Sequence, residues 1–171
     1  MNNLKELDEK QLIKLSEEIR KEIIETVSKN GGHLSSNLGI VELTIAIHKV
    51  FNTPYDKVIF DVSHQSYAHK IITGRQELFH TLRTYDGLSG FTKPEESEFD
   101  TFSTGHSSTA VSLAIGTAIA TKDLEVKPNI IAVVGDASAT NGLTLEALNY
   151  LGSYKDIKVI GGRYGLSSKE F

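Results

Sequence analysis

The chain reads as an α/β protein with a doubly wound, mostly parallel sheet flanked by helices. Two short β-branched runs, residues 57–62 (KVIFDV) and 129–134 (NIIAVV), have the apolar character of strands buried on both faces. Each lies between stretches of helical periodicity, and strands alternating with helices are the mark of a parallel sheet.

Taken in order, Leu15, Ile19, Ile23 and Val27 share one face of residues 7–29, which predicts an amphipathic helix ended by Asn30-Gly31-Gly32. Residues 40–51 are apolar on most sides and predict a buried helix that stops before Asn52-Thr53-Pro54. After the 57–62 strand come expected helices at 65–73 and 76–83. A Gly-rich, Pro-containing loop then spans 85–105, a length typical of functional or mobile loops. Residues 107–121, rich in Ala, Ser and Gly, suit a helix packed closely on a sheet. The 129–134 strand runs into Gly135-Asp136 and one helix through Tyr150, and residues 157–160 predict a last strand.

The 171 residues show no composition break and suit one domain, residues 1–159, with a divergent tail at 160–171. A net charge of −4 with basic residues spread along the chain gives no footprint for nucleic acid. No apolar run approaches a membrane span and the start lacks an export signal, so a cytoplasmic address without membrane attachment is expected. The absence of cysteine excludes disulfides, thiolate metal sites and a cysteine nucleophile. His, Asp, Glu and backbone groups carry whatever chemistry there is.

In open parallel sheets, ligands gather beyond the carboxyl ends of the strands, where helix N–H groups hold anions. Three segments fall there: Asp61-Val62-Ser63-His64-Gln65, Ser103-Thr104-Gly105-His106-Ser107-Ser108, and Gly135-Asp136-Ala137-Ser138. Each alone reads equally as a turn or helix cap. Jointly they describe a diphosphate pocket with a carboxylate for a metal ion. His48, His69 and His80 lie in helical stretches and read as structural or surface residues.

The stretches SKNGGHLSSNLGIVELTIAIHKVFNTPYDKVIFDVSHQSYAHKIITGR, SEFDTFSTGHSSTAVSLAIG and VVGDASATNGLTLEALNYLGSYKD resemble the thiamine-diphosphate-dependent 1-deoxy-D-xylulose-5-phosphate synthases, which are transketolase-like transferases. The resemblance runs over residues 7–158 and implies an incomplete diphosphate-binding domain. It implies thiamine diphosphate and Mg²⁺ as cofactors, and pyruvate and glyceraldehyde 3-phosphate as substrates of the full enzyme. By the same match, His33 faces the reacting carbon and the acceptor aldehyde. His64, Gly105, His106 and Ser107 contact the cofactor, Ala137 and Ser138 meet the diphosphate through their backbone, and Asp136 binds magnesium. Magnesium's preference for oxygen ligands beside phosphates suits that assignment.

Two positions depart from the family pattern. Ala137 stands where the motif has glycine, at an expected cost of about 1 kcal/mol if positive φ is required there. The window 161–166 (GGRYGL) contains no asparagine to complete the metal site, and the closing GGRYGLSSKEF resembles a stretch of pyruvate:ferredoxin oxidoreductases instead. The family's pyrimidine-binding domain, with its catalytic glutamate, is also outside this sequence. The chain by itself is therefore expected to be inactive, either as a non-catalytic remnant or as the N-terminal subunit of a split enzyme. Association as a homodimer, or with a chain carrying the missing domains, is expected. A generic nucleotide- or partner-binding α/β domain is the third reading, supported by fold-level features alone.

Overall fold

The computed structural model describes residues 4–153 and 160–164. Helix α1 (Glu9–Asn30) opens with a capping box in which Asp8 and Gln11 bond each other's backbone N–H. Short α2 (Leu34–Leu38) and α3 (Val41–Val50) lead to strand β1 (Lys57–Phe60). Next come α4 (Tyr67–Lys70), α5 (Ala110–Ala120), β2 (Ile130–Gly135), α6 (Asp136–Ala139), α7 (Gly142–Gly152) and β3 (Ile160–Tyr164).

The three described strands form a parallel sheet in the order β1-β2-β3, with Phe60 opposite Val133 and Ile131 opposite Ile160. Both β1 and β2 alternate between two apolar layers. Ile59, Ile130, Ala132 and Val134 pack with Ala110, Val111, Ala114 and Ile115 of α5 and Ala147 of α7. Val58, Phe60, Ile131 and Val133 face Ile40 and Ile47 on the other side. The sheet is thus covered on both faces, as a doubly wound parallel sheet requires. Outside α3, a third cluster joins Ile19, Ile23 and Val27 of α1 to Ile45, Tyr67, Ile71 and Phe79.

Several expected boundaries move. The helix read over 65–73 is α4 followed by a π-turn at Ile71–Arg75, broken where Gly74 takes φ 93°. The helix read over 76–83 shrinks to one 3₁₀ turn, Phe79–Thr81. The single helix expected through Tyr150 is two, because the Asn141 side chain accepts from the Leu143 N–H and caps a new start. Helix α5 begins at Ala110 rather than residue 107, since Ser108 has φ 71°. Of the last expected strand, residues 157–159 lie outside the described residues and Ile160 opens β3. No helix among the described residues is long and apolar enough to cross a membrane.

Candidate functional site

After α1, Gly31 and Gly32 turn the chain with φ of 74° and 145°. A Cβ at Gly32 would stand 2.8 Å from the Tyr67 hydroxyl, so a side chain there meets both a clash and a disfavoured backbone. His33 follows as the N-cap residue of α2, its N–H donating to that same hydroxyl at 3.4 Å. Across from it, His64 lies just beyond β1, after Val62 (φ 59°) and Ser63 (φ 69°). Left-handed geometry at a β-branched residue costs on the order of 1–3 kcal/mol and persists only where the surroundings impose it.

The fully buried Asn37 ties the two turns together. Its Nδ2 donates to the His33 carbonyl at 2.6 Å and the His64 carbonyl at 2.9 Å, while its Oδ1 accepts from the Tyr67 N–H. The two imidazoles consequently meet edge to face, with centroids 4.8 Å apart. Burial lowers the pKa of each, aided by Arg83 at His33 and by His33 itself at His64, where Asp61 opposes the shift. Both rings are neutral near pH 7 and keep one N–H and one bare nitrogen each. Nδ1 of His64 is buried without a hydrogen-bond partner.

At the end of β1, the buried Asp61 continues the sheet pairing through its N–H to the Val133 carbonyl. Its carboxylate accepts the N–H groups of Ser108, Thr109 and Ala110 at 2.8, 2.9 and 3.1 Å. The sequence-based expectation that helix starts here offer free N–H groups to an anion does not hold for α5, whose first turn is occupied by the protein's own carboxylate. Gly105, His106 and Ser107 sit just ahead of this joint and are exposed. The Thr104 hydroxyl ties their segment to the Phe60 carbonyl at 3.3 Å. No atom lies within 4 Å of where a Gly105 Cβ would be, so the space in front of that backbone is open.

At the end of the neighbouring strand β2, Asp136 and Ala137 are exposed and Ser138 is half-buried in the one turn of α6. The Ser138 carbonyl receives the Ser108 hydroxyl at 3.4 Å, which joins this corner to the start of α5. Ala137 is not among the residues with positive φ, so the backbone penalty expected for alanine in place of glycine does not arise. Among the described residues no cluster of three or more His, Asp or Glu is positioned for a metal. Asp136 is the one carboxylate of α6. The window 161–166 falls partly on β3 and partly outside the described residues.

The predicted residues therefore fall into two groups at the carboxyl edge of β1 and β2. One is the His33–His64 pair; the other is Gly105-His106-Ser107 beside Asp136-Ala137-Ser138. Asn37, Asp61, Tyr67 and Gly32 support them and were not singled out as site residues from the sequence. A trace of signal exists in a lone asparagine four residues after His33 and an aspartate closing a strand. As read from the sequence, His48 and His69 are buried structural residues and His80 is on the surface.

A family profile described as 1-deoxy-D-xylulose-5-phosphate synthase matches residues 1–160. The synthase of Caldanaerobacter subterraneus subsp. tengcongensis is 57% identical over 170 residues, 98% of this chain and 27% of that protein. That of Alkaliphilus oremlandii is 55% identical over 161 residues, 94% of this chain and 26% of its own length. The chain thus spans about a quarter of the length of these relatives. Transketolase from Campylobacter jejuni superposes with a TM-score of 0.75 at 19% identity, over 91% of this chain and 28% of that one. Transketolase from Leishmania mexicana gives 0.74 at 18% identity, over 94% and 29%. At those identities the two structures speak for the fold alone. With the matching profile running through nearly every described residue, this chain belongs to the 1-deoxy-D-xylulose-5-phosphate synthase family.

Proposed function

We propose that this chain is the diphosphate-binding part of an enzyme that condenses pyruvate with glyceraldehyde 3-phosphate, giving 1-deoxy-D-xylulose 5-phosphate and carbon dioxide. The observation that supports it most directly is the His33–His64 pair, two neutral imidazoles in edge contact with one buried nitrogen unpartnered. Thiamine diphosphate, when bound, supplies the carbanion chemistry. The chain's own work is to hold, orient and polarise. His33, exposed at the mouth, hydrogen-bonds the acceptor's carbonyl oxygen and exchanges a proton there. His64 Nδ1 fixes the orientation of the bound ring system. Backbone at Gly105, Ser107, Ala137 and Ser138, with the His106 side chain, would hold the diphosphate, and the Asp136 carboxylate would hold Mg²⁺.

The remaining groups of the active site are brought to it by polypeptide that packs against this part. Leu143, Leu145, Leu148 and Tyr150 on α7, each between 47 and 54% exposed, favour such a contact. Calorimetric titration of thiamine diphosphate with Mg²⁺ tests the reading. Saturable heat that requires magnesium and disappears in Asp136→Ala is expected. A folded native chain that gives no heat, or binding indifferent to Asp136, sinks it.

A further inference from the structure

A buried charged cluster lies behind the histidine pair and plays no part in the chemistry above. Two cations from α4 and the π-turn, Lys70 and Arg75, meet two carboxylates from the irregular segment before α5, Glu96 and Asp100. Arg75 grips Asp100 with both nitrogens at 2.7 and 2.8 Å, and Lys70 Nζ reaches Glu96 at 2.5 Å. His69 Nε2 lies 2.8 Å from Asp100, and its Nδ1 lies 2.9 Å from His48 Nε2, whose Nδ1 meets the Thr53 hydroxyl. With Asp100 ionised, only one direction satisfies every partner: Thr53 O–H donates to His48, His48 to His69 and His69 to the carboxylate. Both rings are then neutral, and the four full charges balance.

The carboxylates also organise the loop that carries them. Glu96 accepts the Ser89 N–H at 2.7 Å and Asp100 accepts the Lys93 N–H at 2.8 Å. Between those two anchor points, Phe91 and Thr92 reach the candidate site. The Phe91 ring stands 6.4 Å from the His33 ring, and the Thr92 N–H donates to Ser63 Oγ, one residue before His64. We propose that Asp100 and Glu96 are positioning residues. Clasped by Lys70 and Arg75, they hold residues 89–93 so that Phe91 flanks His33 and Thr92 fixes the turn that presents His64. This rests on the reading of His33 and His64 as the working pair.

The test is imidazole ¹H–¹⁵N correlation spectroscopy with amide hydrogen exchange on the full chain. Phe91→Leu first defines how the His33 signal moves when the ring is lost. In Glu96→Ala and Asp100→Asn the His33 signal should move the same way, the His64 signal should shift, and exposed His80 should stay put. Exchange at Thr92 and Lys93 should quicken at least about tenfold, the worth of one charge-assisted hydrogen bond. Glu96→Ala removes the acceptor of the Ser89 N–H and the partner of Lys70 while leaving the Arg75–Asp100 pair in place, and decides the matter should Asp100→Asn not fold. Unmoved His33 and His64 signals in a folded Glu96→Ala chain overturn the proposal, because the loop would then sit correctly without its clasp. Adding Mg²⁺ and thiamine diphosphate to the same samples separates the two ideas: a native chain that binds nothing refutes the functional reading while the NMR comparison still judges the clasp.

Discussion

The two halves of the candidate site are built on opposite principles. Around His33 and His64, buried side chains tie the backbone together, although His64 Nδ1 has no partner: Asn37 bonds three groups, Asp61 three N–H groups, and Ser63 the loop backbone. Around Asp136, the acid and its neighbour Ala137 are exposed, and the following helix shows its leucines to the outside. The first half holds its geometry from within the chain. The second has a correct backbone but leaves its surfaces for a ligand, a metal or another polypeptide to cover. Pre-organisation here is thus local, concentrated around the His33–His64 pair.

If that contrast is real, substitution should separate the halves sharply. Asp61→Ala strips three N–H groups of a buried anionic partner and should cost about 3–5 kcal/mol in urea unfolding; a loss below about 1 kcal/mol would break the contrast. Asn37→Ala should cost about 2–3 kcal/mol by leaving buried groups unpaired, and should displace both the His33 and His64 imidazole signals. Acid attacks the same half. Burial, then the neighbouring His69 and Arg75, depress the His48 pKa from 6.5 to about 3. Below pH 6.5 the unfolded chain therefore binds a proton that folded His48 refuses until about pH 3. Stability is full above that window and falls as pH drops through it, by about 1–2 kcal/mol between pH 6.5 and 5. Asp100 adds to the loss only further down. Its carboxyl is held well below its usual value by His69 and Arg75, although burial acts the other way. Equal urea midpoints at pH 7 and pH 5 would contradict this. In the open half, Ala137→Gly should cost less than about 1 kcal/mol, since Ala137 is exposed in an ordinary helical conformation; a larger loss would mean that half is also tightly determined.

What could be read from sequence follows from range. The alternation of β1 and β2 between two cores, and the amphipathic stripe of α1, are periodic and local, so the residues disclose them directly. The segment 76–83 carries helical periodicity yet makes one turn, because Gly74 reverses the backbone while Arg75 is drawn to Asp100, twenty-five residues on. Likewise the break between α6 and α7 rests on a single capping asparagine. His33, His64 and Asp136 are candidates by family resemblance, whereas Asn37 and Asp61 bond backbone groups that any residue type offers. No pattern of side chains announces such a partner.

The Asp61 joint also bears on how the chain reaches its fold. Its three hydrogen bonds connect residues 47, 48 and 49 positions apart, and β1 finds β2 only across a still longer gap. An isolated eleven-residue helix is marginal in water, so the first turn of α5 gains its cap only after that long loop has closed. The start of α5 is therefore among the last parts to become ordered. A nascent chain has no finished Asp61 joint until both strands are in place.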